Sequence, residues 1–151
     1  MATTDEDGAR RLDEDQQRRL RQAVPDTMLA TPYLSSLGLV FESYRPDEVT
    51  IRLPFRPELT NDSVYYHGGV IAAAMDTTGA AAAWSNHDFN KGMRASTVAM
   101  SVQYVGAAKQ SDLVCHARAV KRGRELIFTE ITATDAEGSV VAHALQTYRI
   151  V

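Results

Sequence analysis

Cysteine is nearly missing from this chain: its 151 residues contain one, Cys115. A single thiol excludes an internal disulfide and any zinc site built on cysteines, and it suits a reducing compartment, so a cytoplasmic location is expected. Metal-ligand spacing is missing too. His87, His116 and His143 stand far apart on what read as different elements, so no metal is expected. There is no excess of positive charge, and a net charge of −3 with a pI near 5.8 argues against nucleic acid as a partner. Thr, Asp, Glu and Arg dominate the first residues, leaving no apolar run there that could serve as a signal peptide. Repeats, low-complexity tracts and linkers are absent, and the length suits one globular domain.

The central stretch also stands out by what it lacks. Residues 67–84, HGGVIAAAMDTTGAAAAW, contain no Lys, Arg or Glu. Alanine dominates, so propensity favours a helix with no face that wants solvent. Its charge, its glycines and its modest hydrophobicity make it a buried helix rather than a membrane span. Turning by 100° per residue, Asp76 shares a face with Gly69, Ala72, Ala73, Gly79, Ala80 and Ala83, while Ile71, Met75 and Thr78 point the other way, towards the core. A face of small residues admits a ligand or another backbone, and a lone carboxylate there is costly unless something needs it.

A polar stretch, residues 61–66, precedes this helix, and His67-Gly68-Gly69 opens it. The first N–H groups of a helix have no internal partner and carry the positive end of its dipole, which suits a developing oxyanion. Nine residues separate His67 from Asp76, about 13.5 Å of rise, so both can serve one reactant only if they come from different chains. Two such helices packed antiparallel across a two-fold axis, small face to small face, would meet that condition.

Around the helix the pattern predicts an antiparallel sheet. Residues 1–10 read as a disordered polar tail and 13–24 as a charged amphipathic helix ending before Pro25; together residues 1–26 form an N-terminal tail and helix ahead of a domain at 27–151. A short helix over 31–37 has Pro32 in its first turn and Gly38 at its end. Alternating runs at 39–44, 49–55, 95–105, 113–121, 125–134 and 139–150 read as strands, with turn residues between neighbours. The order of elements implies an α+β hotdog fold, a curled antiparallel β-sheet wrapped around one long central α-helix.

Asn61, then His67-Gly68-Gly69, then Asp76 well inside the helix, resembles the hotdog-fold acyl-CoA thioesterases of the phenylacetate-degradation type. The strand TVAMSVQY at 97–104 and the segment from Gly123-Arg124 through Gly138 to Ala142 are similar to that family as well, so the resemblance covers roughly residues 36–150. It departs from the commonest pattern in two places: Ser63-Val64 replaces a usual glycine, and Tyr65-Tyr66 makes the loop before the histidine bulky.

The resemblance implies hydrolysis of an acyl- or aroyl-CoA thioester to free acid and coenzyme A, by a homodimer or a homotetramer that pairs two dimers. No cofactor is expected, since water, a carboxylate and an oxyanion donor suffice, and charge and hydropathy leave no nucleic acid or membrane as expected partner. Asp76 is expected to attack the thioester or to activate water. The backbone N–H of Gly68 polarises the carbonyl, Asn61 stands near the attacking water, His67 supports the site, and the Thr97 hydroxyl orients water or the carboxylate. Gly69 and Tyr66 are candidate substrate contacts, and Arg122 and Arg124 candidates for the coenzyme A phosphates. Tyr65, Trp84 and Phe89 line the acyl pocket or fill the core. The alternative is an acyl-CoA-binding, regulatory hotdog protein that keeps the pocket without turnover.

Overall fold

The computed structural model describes residues 10–151, so most of the polar tail expected at 1–10 lies outside the described residues. Helix α1 spans Glu14–Leu29 and α2 Pro32–Leu37; strands β1 (Val40–Arg45) and β2 (Glu48–Leu53) follow. Helix α3 spans Gly68–Ser85, and β3 (Ala95–Tyr104), β4 (Leu113–Arg122), β5 (Leu126–Thr134) and β6 (Val140–Ile150) complete the sheet. All six strands are antiparallel in the order β1-β2-β4-β5-β6-β3. The sheet curls around α3, the hotdog arrangement.

The helix lies where its composition puts it. Ile71, Ala74, Met75, Thr78, Ala81 and Ala82 are buried against Val49, Ile51 and Leu53 of β2, Leu113, Cys115 and Ala117 of β4, and Ile131 of β5. The alanines bring the helix close to the sheet, and each fully buried Ile, Leu or Met there contributes about 2 kcal/mol by leaving water. Burial pushes the Cys115 thiol up to about 12, so it packs as a small apolar group.

Two expectations are corrected. Helix α1 does not stop before Pro25 but runs on to Leu29. Proline removes one backbone hydrogen bond, yet Val24 before it is buried and Met28, one turn on, packs against the cluster that includes Ala80 and Ala83 of α3, and that burial carries the helix through. Gln17, also buried, fixes α1 to the loop after α3 by donating to Asp88 and accepting from the Phe89 N–H. The second correction concerns the small face of α3. Gly79, Ala80 and Ala83 are buried by the chain's own β5 and β6, so a second helix cannot pack along the whole face. Only the stretch from Gly69 through Ala72 and Ala73 to Asp76 keeps some exposure.

Among the described residues strand β3 is an edge, paired with β6 alone, ten residues long and without a charged side chain, and Val98 and Tyr104 on it are more than half exposed. The opposite edge, β1, is shorter and carries Glu42 and Arg45. Charges and brevity protect an edge from pairing, and β3 has neither.

Candidate active site

The loop before α3 is built from its own polar side chains. Asp62 Oδ1 accepts from the N–H groups of Val64 and Tyr65, and Thr60 Oγ1 accepts from that of Ser63. Those backbone donors, Tyr65 first, hold the Asp62 carboxyl below its ordinary value. Ser63 sits at φ 70°, the left-handed region, which explains why glycine suits this position. Ser63→Gly is therefore expected to stabilise the fold by about 0.5 kcal/mol, relief of left-handed strain outweighing glycine's entropy. A rise of a degree or two in thermal unfolding checks this; a fall would show that the serine makes a compensating contact. Asn61 closes the loop through its backbone N–H to the Tyr65 carbonyl, and its exposed side chain has no hydrogen-bond partner among the described residues.

At the start of α3 the donors are almost all used. The His67 ring accepts from the Gly69 N–H at 2.8 Å through Nδ1, so the neutral ring carries its proton on Nε2. The His67 carbonyl takes the N–H groups of Val70 and Ile71. Only the Gly68 N–H has no acceptor among the described residues. His67 is thus a cap that occupies its neighbour's donor, and Gly69 offers no N–H to a ligand. Across the turn, the Tyr104 hydroxyl donates to the Gly68 carbonyl at 2.9 Å and its ring lies over Gly68.

Two turns further along, Asp76 is gripped on one oxygen. Its Oδ1 accepts from the Thr97 hydroxyl at 2.7 Å and from Gln146 Nε2 at 2.7 Å, and Gln146 donates also to the Asp76 carbonyl at 2.9 Å. Nothing among the described residues donates to Oδ2. Thr97 reaches Asp76 because the register of β3 against β6 slips between Thr97 and Ala99. Met100, Val102 and Tyr104 pair with inward-facing residues of β6, so simple alternation would turn odd-numbered Thr97 outward; the extra residue at Val98 turns it in. Tyr148, paired with Thr97, accepts from the Trp84 indole N–H at 3.2 Å. Burial, with a smaller effect from the Asp76 charge, raises the Tyr148 pKa, so it remains a neutral phenol.

The other candidates scatter. Tyr66 is 5% exposed, its ring edge-on to Phe55, so it fills core instead of lining a cleft. Arg122 is anchored to Asp47 and the Ala82 carbonyl, closing the end of α3. Arg124 is exposed beside Lys91, in a cleft bordered by His87 and the anchored Arg122. Trp84 and Phe89 stack on each other and line an apolar groove with Leu20, Val24, Met28 and Met93. Among the described residues no group of His, Cys, Asp or Glu is gathered to hold a metal, and no helix is long and apolar enough to cross a membrane. Gln146 and Tyr104 were missed by the sequence reading; a glutamine in the inward register of β6, in a row with Ala142, Ala144, Tyr148 and Ile150, was the available signal for the first.

The comparisons agree with this architecture. The sequence profile of the thioesterase superfamily matches residues 65–142, and the chain belongs to that superfamily. An esterase candidate of Mycobacterium tuberculosis is 30% identical over 116 residues, 76% of this chain and 82% of its own. Its solved structure superposes with a TM-score of 0.73 at 26% identity, covering 80% of this chain and 97% of that one. The Escherichia coli PaaI protein of the phenylacetic acid degradation operon shares the fold at 16% identity, with a TM-score of 0.77 over 89% of this chain and 95% of that one. A Streptococcus pneumoniae protein described as a hypothetical thioesterase, solved with coenzyme A, shares it at 22% identity and a TM-score of 0.67, over 76% and 89% of the two chains.

Proposed function

We propose that this protein is an acyl- or aroyl-CoA thioesterase whose active centre is shared between two copies of the chain. One observation carries the reading: β3 is tied to α3 at both ends, by Thr97 to Asp76 and by Tyr104 to Gly68. If two uncharged β3 edges pair antiparallel, the Thr97 end of each strand meets the Tyr104 end of the other. The free Oδ2 of one copy then faces the free Gly68 N–H of its mate, which the eight-residue separation within one helix, about 12 Å of rise, forbids in a single chain.

In that centre the thioester carbonyl oxygen accepts the Gly68 N–H. Asp76 Oδ2 either adds to the carbonyl carbon or removes a proton from the water that does. Addition moves the carbonyl π electrons onto oxygen, where the N–H stabilises them, and collapse expels the coenzyme A thiolate, which is then protonated. Direct attack leaves a mixed anhydride on Asp76 that water opens to the free acid; the water route yields the acid at once. Asn61, whose side chain has no partner among the described residues, is assigned to holding the water, and the groove at Trp84 and Phe89, next to Tyr148, to the acyl or aroyl group. Arg124 and Lys91, exposed together on one cleft, are the cations assigned to the phosphates. The coenzyme A bound to the Streptococcus pneumoniae protein supports this substrate class.

Thiol release from a panel of short, long and aromatic acyl-CoA thioesters is the test. Catalytic turnover yielding one thiol per acid is expected. Tight binding of the panel without turnover would instead establish the non-hydrolytic alternative.

A further inference from the structure

We propose that Gln146, itself held by Thr129 and given room by Gly79, is the positioning residue for Asp76, fixing the carboxylate so that Oδ2 alone is free to react. This rests on the hydrolase reading above. Gln146 is 2% exposed and Thr129 1%, polar groups in rows that otherwise face the core. Packing there needs no amide, because the neighbouring inward positions are filled by Ala144, Ile131 and the ring of Tyr148. A buried primary amide is costly unless it is bonded, and here both ends are.

The orientation of the amide follows from its partners. The Asp76 main-chain carbonyl can only accept, so Nε2 must lie on that side, from where it reaches Oδ1 as well. Oε1 is then left for the Thr129 hydroxyl, which donates at 3.0 Å. The backbone and side-chain bonds from one Nε2 fix the carboxylate relative to its own helix, and Thr97 supplies the second donor from the edge strand. Two donors on Oδ1 leave Oδ2 as the oxygen without a partner.

Gly79 completes the device. A Cβ at that position would collide with Gln146 Oε1 and come within 2.9 Å of both Gln146 Cδ and Thr129 Oγ1. The chain of contacts Thr129–Gln146–Asp76 therefore runs through space that only glycine leaves open. Gly79→Ala moves Gln146 without altering it, while replacing a helix-interior glycine by the best helix former.

Two readouts test the proposal. In the wild type the Gln146 side-chain amide is expected to be protected from hydrogen exchange, and its NMR signal to shift in Asp76→Asn. In thiol-release assays Gln146→Met, matched in shape but without donors, should lower kcat about 10- to 100-fold through misplacement of Asp76, with KM within about threefold. Gly79→Ala should do the same, with a loss of kcat larger than its change in melting temperature accounts for. Thr129→Val should lose part of kcat, and Thr129→Ser should recover most of that loss. An exchange-labile amide indifferent to Asp76→Asn, or unchanged kcat in both Gln146→Met and Gly79→Ala, overturns the proposal, as does a kcat loss that follows melting temperature across the set. Absence of thiol release by the wild type overturns the hydrolase reading itself and the catalytic half of this one; wild-type release with kcat unchanged in both Gln146→Met and Gly79→Ala overturns this one alone.

Discussion

Asp76→Asn is expected to lower kcat for thioester hydrolysis about 10²- to 10⁴-fold with little change in stability. The asparagine keeps an oxygen where Oδ1 accepts from Thr97 and Gln146, so the local hydrogen bonds survive. What it removes is the charge and lone pairs of Oδ2, the oxygen that attacks or takes the proton. Steady-state kinetics beside a thermal melt separate these effects, and near-normal kcat in a folded variant would remove Asp76 from the chemistry. In a single turnover in heavy-oxygen water, label in the Asp76 carboxyl group would establish direct attack, since only an anhydride opened at its aspartyl carbon can place it there.

Gly68→Pro is expected to cost about 10²- to 10³-fold in kcat, because it deletes the single open donor at the start of α3. The substitution is unusually clean. Proline is favoured at the first position of a helix, where no internal bond is lost. His67, at φ −63° and ψ 133°, already has the extended backbone that a residue before proline adopts. A Cβ at Gly68 would meet the Tyr104 ring at 3.6 Å, an ordinary contact. Mixing the Gly68→Pro and Asp76→Asn proteins makes the stronger test. After subunits exchange, half the dimers are mixed and each carries one site with both groups intact, so about a quarter of wild-type activity should return. No recovery after demonstrated exchange would show that each chain carries its own complete centre.

How much of this was legible in the residues differs between neighbours. Asp76 and Gly68 stand out because each breaks a local rule: a charge in an apolar helix, and a donor-rich start of small residues. Asn61 and His67 were readable as a cap and loop pair, although the ring's hold on the Gly69 N–H, which leaves one donor instead of several, depends on a rotamer that no sequence shows. Tyr66 and Arg122 misled for a common reason. An aromatic ring or a guanidinium serves whichever partner is nearest in space, and here these are Phe55 for the first and Asp47 with the Ala82 carbonyl for the second.

By itself the sequence determined the central helix, its core face and the alternation of the strands, because these depend on composition and on the 3.6- and 2-residue periods that every chain obeys. Thr97 was expected beside Asp76 from the family likeness, but tertiary structure alone decided how it gets there and that Gln146 joins it. One extra residue at Val98 reverses the facing of Thr97, pairing of the third strand with the last brings Gln146 alongside, and burial of Val24 and Met28 carries α1 past Pro25. Each outcome is a competition between local preference and long-range contact, and long-range partners are the one quantity that a linear pattern does not contain.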